Sequence, residues 1–158
     1  MMLLTEHRRT CFACSPGGHR AELLRAVDGI EFTDRFDATF RSDHDDNSGT
    51  APAPARIWYL CHPRRSPLRL LLNILQTLVM ICRERPHLII STGADVALAT
   101  VVFGRLFGAK VIFIESAGSF GPTLSGRLAY PFAHLFIIPW PEQRIAYPRA
   151  VIARGLLF

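Results

Sequence analysis

Acidic residues, cysteines and long apolar runs are all scarce in this chain, and each shortage removes a class of function. Its 158 residues hold 13 Asp and Glu against 18 Lys and Arg, for a formal net charge of +5. Seven of those acids fall between Asp28 and Asp46, while after Pro86 only Asp95, Glu115 and Glu142 are acidic. The four cysteines, Cys11, Cys14, Cys61 and Cys82, are too few for a disulfide framework, and no secretory signal precedes them. Reduced thiols and a cytoplasmic chain are expected. Cys11-x-x-Cys14 has no second ligand pair to complete a zinc site, so no metal or cofactor is called for. No run reaches the roughly 20 apolar residues that a bilayer-spanning helix needs. There is no internal repeat.

The basic residues are clustered. From Arg56 to Arg85 six arginines stand against the single acid Glu84. Such a field attracts phosphate, whether on anionic lipid, a pyrophosphate-linked substrate or nucleic acid. Nucleic acid is not expected as a partner, because the arginines are not interleaved with aromatics and no nucleic-acid-binding motif is present.

The most informative run is Ser15-Pro16-Gly17-Gly18-His19-Arg20-Ala21-Glu22, between a strand-like Thr10 to Cys14 and a helix-like Ala21 to Val27. Gly17 and Gly18 can take backbone angles closed to other residues, and free N–H groups at the next helix favour an anion. The alternative is a plain turn, with His19 an ordinary first-turn residue. A dinucleotide site is not expected, since no third glycine follows at the required spacing.

Further along, a weak strand-like stretch from Glu31 to Phe40 leads into 42–55, read as a flexible loop. Strand Arg56 to Cys61 meets the basic connector His62-Pro63-Arg64-Arg65-Ser66-Pro67. Leu68 to Arg85 is apolar except for Arg69, Asn73, Gln76, Thr77 and the closing Arg83-Glu84-Arg85; Arg69, Asn73, Gln76 and Arg83 trace a narrow polar stripe at helical spacing, which predicts either a deeply buried helix or one resting in a membrane interface. Beyond Pro86, strand His87 to Ser91, turn Thr92 to Asp95, helix Val96 to Phe107, strand Val111 to Ile114, a loop to Gly126, helix Arg127 to Ala133 and strand His134 to Ile138 alternate. Unalternating apolar strands punctuated by glycine turns predict a parallel α/β sheet, Rossmann-like, covered by helices on both faces. Ligands then bind beyond the carboxyl ends of the strands, where His19, Gly93, Glu115 and Trp140 fall.

Several of these residues carry two readings each. Glu115, after a buried strand, either holds a ligand hydroxyl or a histidine, or caps a neighbouring loop. His19 has the chemistry of a general base near neutrality. Ser125-Gly126-Arg127 supplies either a phosphate contact or a helix start. Arg64 and Arg65 are a cationic pair for a ligand or solvated charges. Trp140, between two prolines, is either a packing corner or a stacking surface.

Six segments in order also resemble a known family: Ser15 to His19, Pro86 to Ala94, Gly108 to Ser116, Leu124 to Leu128, Phe136 to Glu142, and Tyr147 to Ala150 with Gly155 to Phe158. They are similar to the Alg-fourteen family, the acceptor-side subunit of a two-part UDP-GlcNAc transferase, and to bacterial relatives of the PssD and CpsF type in exopolysaccharide and capsule assembly. The resemblance implies the N-terminal half of a GT-B glycosyltransferase, with 1–158 forming one acceptor-binding half-domain. The expected partners are a separate small UDP-sugar-binding half, a lipid-linked acceptor and a membrane surface. It further implies that the Gly17-Gly18 loop holds the acceptor's pyrophosphate and that Glu115 helps to shape the acceptor pocket; Gly93, Arg64, Ser125 and Arg127 are expected beside it as acceptor and phosphate contacts. His19 and Glu115 take the catalytic places, and Trp140 a partner or ligand contact. The inner face of the cell membrane is the expected location, with attachment through the Leu68 to Cys82 helix and its arginines or through the partner. A recruiting subunit that binds partner and bilayer without catalytic groups is the alternative.

Overall fold

A computed structural model of the chain describes residues 4–42, 54 and 56–153. Apart from Ser42 and Pro54, the expected 42–55 loop lies outside the described residues, as does the closing Gly155 to Phe158. In chain order the elements are β1 (Leu4–Glu6), β2 (Thr10–Ala13), α1 (Gly18–Ala26), β3 (Ile30–Phe32), β4 (Arg35–Thr39), β5 (Arg56–Tyr59), α2 (Pro67–Glu84), β6 (Leu88–Ser91), α3 (Asp95–Leu106), β7 (Lys110–Ile114), α4 (Leu124–Ala129), β8 (Leu135–Ile138) and β9 (Val151–Ile152). Short 3-10 turns follow at Tyr130–Phe132 and Pro141–Ile145.

Seven strands form one sheet in the order β5-β4-β2-β6-β7-β8-β9, every pair parallel. The chain therefore builds outward from β2 in one direction and from β6 in the other, the Rossmann-like order that leaves a crevice between those two strands. Both faces are covered. Cys11 and Ala13 of β2 with Ile89 of β6 pack on Met80 and Ile81 of α2 and Val96, Ala97 and Val101 of α3, while Phe12, Leu88 and Ile90 pack on Leu23 of α1. Period-two alternation along each strand sends its neighbours into opposite layers, so both layers must be apolar.

The single stretch expected over Glu31 to Phe40 is two strands. β3 leaves the main sheet to pair with β1, which sequence inspection did not anticipate, and Thr33 and Asp34 make the break. Asp34 cannot continue a buried strand because its carboxylate is taken by Arg9 at 2.7 Å and Arg56 at 2.8 Å, and these guanidiniums hold its pKa below the usual value. α4 begins at Leu124, three residues before the expected Arg127, because Thr123 caps it by accepting from the Gly126 N–H at 2.9 Å.

α2 departs most from expectation. Of its polar residues Asn73, Thr77 and Glu84 face inward, fully or nearly buried, while Leu68, Leu71, Leu72, Leu75 and Val79 stand 47–76% exposed. The turn after β5 accounts for this inversion. Asn73 donates to the Cys61 carbonyl at 2.8 Å, and Gln76 accepts from the Cys61 N–H at 2.6 Å. At the other end Glu84 accepts from Trp58 Nε1 at 2.9 Å and from Arg56. Buried backbone groups must be paired, so the polar residues are drawn in and the leucines are left out.

Candidate functional site

The carboxyl ends of β2, β6, β7 and β5 carry four segments to one edge of the sheet. The first is the glycine run. Gly17 caps α1 with φ 80° and ψ −133°, angles closed to other residues, and a side chain added at Gly17 or Gly18 would meet nothing within 4 Å. The mouth of α1 is therefore open. His19 lies in its first turn with its side chain 33% exposed, and its carbonyl accepts from Thr92 Oγ1 at 2.7 Å. That bond joins the β2 and β6 loops across the crevice. Cys14, just below, is buried, and burial pushes its thiol up to about 12, so it offers no thiolate there.

The second loop is Thr92 to Asp95. Gly93 has φ 94°, and Phe113 and Ser125 Oγ press on the space a side chain would need. Gly93 and Ser125, each expected to serve the acceptor, are thus brought together. Ala94, capping α3, takes φ 74° and ψ 154°, a region essentially reserved for glycine. Ala94→Gly is expected to raise stability by about 1 kcal/mol in urea unfolding, because the relieved strain exceeds glycine's entropic cost. An unchanged or lowered midpoint would count against strain at this turn.

The third loop runs from Glu115 to Thr123. Glu115 is 2% exposed and both its oxygens are engaged. Oε1 accepts from Thr123 Oγ1 at 2.7 Å and the Ser116 N–H at 3.2 Å; Oε2 accepts from Tyr147 at 2.7 Å. Burial, and then this bond, push the Tyr147 hydroxyl well above its ordinary pKa. Of its two readings, this geometry favours the cap: the carboxylate packs under Gly126 and ties the end of β7 to Tyr147 and to Thr123, the cap of α4. The loop it supports is further clasped by Trp140, whose Nε1 donates to Ala117 at 3.2 Å and whose ring stacks on Phe120, and by Gln143, which donates to Ser119 at 2.9 Å. Trp140 is thus already engaged within the chain. Arg127 is exposed on α4.

The fourth contribution is the basic connector after β5. His62 Nδ1 accepts from the Arg64 N–H at 3.2 Å and lies 3.4 Å from Asp95, so the connector is drawn towards the start of α3. Arg64 and Arg65 both adopt positive φ, 45° and 59°, and both are exposed. Leu68 and Leu71 follow directly. The cationic pair therefore stands where the leucine face of α2 meets the site edge.

Two residues of this edge escaped sequence reading. Glu22 accepts from Ser116 Oγ and the Ala117 N–H at 3.2 Å each and stands one turn from His19. The His-x-x-Glu spacing on a helix was the available signal. Tyr147, 1% exposed, lies in the sequence inside the family-like Tyr147 to Ala150 segment, with nothing local to mark it as a partner of Glu115. A cleft of about 380 Å3 lined by Ile81, Cys82, Arg85, His87 and Phe107 lies at the opposite edge of the sheet. Among the described residues no group of three or more His, Cys, Asp or Glu is placed to hold a metal, and no helix is long and apolar enough to cross a membrane.

Residues 63–157 match the family described as oligosaccharide biosynthesis protein Alg14 like. Over 72 residues the sequence is 33% identical to the UDP-N-acetylglucosamine transferase subunit ALG14 of Eremothecium gossypii, a stretch covering 41% of this chain and 32% of that protein. Among solved structures, MurG of Acinetobacter baumannii superposes with a TM-score of 0.68 at 15% identity, covering 94% of this chain and 45% of MurG. UDP-GlcNAc 2-epimerase of Methanocaldococcus jannaschii gives 0.67 at 9% identity, covering 91% and 42%. The chain thus spans less than half of those GT-B proteins, and at such identities the likeness is one of fold.

Proposed function

Since the chain belongs to the family of Alg14-like oligosaccharide biosynthesis proteins, we propose that it is the acceptor-binding subunit of a two-part glycosyltransferase. In this reading a separate donor-binding chain supplies a nucleotide sugar, and the acceptor is a saccharide linked through pyrophosphate to a polyprenyl lipid. The observation that carries it is the open mouth of α1 at the crevice between β2 and β6, with His19 beside it. Gly17 and Gly18 leave room for pyrophosphate against the free N–H groups of the helix. Gly93, Ser125 and Arg127 border the same edge, and Arg64 adds charge from the connector. His19 is the base that takes the proton of the attacking hydroxyl. Glu115 and Trp140 act at one remove, through α4 and the clasped loop.

Co-expression with a donor-binding partner tests this directly. Transfer of labelled sugar from a nucleotide sugar to a lipid-linked acceptor is expected from the complex and not from the chain alone. Failure to form a complex or to transfer in any pairing overturns the proposal.

The leucine face of α2 supports a peripheral seat on the bilayer. An apolar helical stripe with arginines at its start and end is the composition of an interfacial helix, and each arginine near an anionic surface contributes about 1 kcal/mol. Its upper end meets the site edge, so a lipid-linked acceptor would reach the glycine loop without leaving the bilayer. Leu72→Asp with Leu75→Asp, both at solvent-facing positions, is expected to abolish flotation with anionic vesicles while leaving the melting temperature within a few degrees. Undiminished flotation would remove α2 from the membrane contact.

A further inference from the structure

Within the site, one pair of buried polar atoms is left facing each other without hydrogen-bond partners. His19 Nδ1 and Glu22 Oε2 are 3.8 Å apart across one turn of α1, both inaccessible to solvent. Neither atom makes a hydrogen bond at that distance, and a buried polar atom left unpaired is costly. The other oxygen of Glu22 is already fixed, accepting from Ser116 Oγ and the Ala117 N–H at 3.2 Å each. The carboxylate is therefore anchored to the loop after β7, and a small turn of the imidazole closes the pair. Nδ1 is buried while a third of the side chain is exposed, so what solvent reaches lies elsewhere on the side chain.

We infer that Glu22 is the positioning residue for His19, accepting its Nδ1–H and so keeping the lone pair on Nε2, towards the site. The inference rests on His19 being the base. In the step it serves, the acceptor hydroxyl gives its proton to Nε2 and its oxygen bonds to C1 of the donor sugar. The bond from C1 to the nucleoside diphosphate breaks, and its electron pair leaves with the diphosphate. A base of fixed tautomer is ready for that proton; one with Nε2–H is not.

Glu22→Gln tests the pairing with little change of shape. The Ala117 N–H needs an acceptor, so the amide oxygen stays at the Oε1 place and the NH2 group is turned to Nδ1. Nitrogen-15 spectra of the labelled chain, with the His19 resonances identified by their absence in His19→Ala, are expected to show an Nδ1–H imidazole in the natural sequence and an Nε2–H imidazole in the variant. In the complex with the donor-binding partner, kcat should fall about 10²- to 10⁴-fold with KM little changed. Glu22→Gln added to His19→Ala should cost nothing further. An unchanged tautomer, or a loss that multiplies with that of His19→Ala, overturns the inference while the base reading survives. Full turnover by His19→Ala overturns both the base reading and a role for Glu22 in the chemistry; a tautomer switch beside it would leave the pairing as geometry alone.

Discussion

If His19 is the base of the proposed transfer, His19→Ala, assayed in the complex with a donor-binding partner, is expected to lower sugar transfer by about 10²- to 10⁴-fold, the range a general base ordinarily contributes. The loss falls on turnover and spares the fold. The side chain is a third exposed and fills no part of either core layer, whereas the bond that ties the two crevice loops uses the backbone carbonyl of residue 19. Alanine keeps that carbonyl and suits a helix. The far-UV spectrum, the melting temperature and elution with the partner should therefore match the natural sequence while initial rates collapse. The opposite result is equally informative. Full turnover would reduce His19 to an ordinary helical residue, and the chain would then be a recruiter that joins partner and bilayer through α2 without supplying a catalytic group.

The centre of the sheet was legible from sequence because β6 and most of β2 and β7 are apolar without alternation, the pattern of strands in a parallel sheet covered on both faces. The glycine loop was legible for a related reason, since two glycines before a helix mark a turn with positive φ, and Gly17 has it. What hydropathy does not carry is which side of α2 faces in. Arg69, Asn73, Gln76 and Arg83 read as one polar stripe, yet Asn73 and Gln76 serve the stranded backbone of Cys61 and turn inward, while both arginines remain in solvent. That preference comes from a loop distant in sequence, beyond the reach of any window on the helix. β9, two residues long, pairs with β8 only because the chain has already returned past Tyr147, and it has no local pattern to find. Glu22 was hidden differently. Its spacing from His19 was visible, but its anchoring by Ser116 and Ala117 arises where β7 ends, about 95 residues away, and depends on the strand order that brings β7 beside the crevice.

Glu115→Ala destabilises the chain by about 3–5 kcal/mol, a large share of the 5–15 kcal/mol typical of a folded domain. The Tyr147 hydroxyl, at a residue 1% exposed, loses its acceptor, and so does Thr123, the cap of α4. A buried donor left unsatisfied costs roughly 1–3 kcal/mol, and the void left by the carboxylate adds to it. Glu115→Gln keeps one acceptor oxygen and should cost about half as much. The same contact is exposed from the other side by Gly126→Ala, whose added methyl would collide with Glu115 Oε2 and the Tyr147 hydroxyl, and whose cost should be comparable. Urea unfolding of the three variants measures this. Turnover should fall only as far as α4 and its Ser125 and Arg127 lose their places, so activity at low temperature should recover partly where the fold survives. A Glu115→Ala variant as stable as the natural sequence but without activity would return Glu115 to the reaction itself, because a carboxylate that could be removed without loss of stability cannot be the one holding α4 against Tyr147.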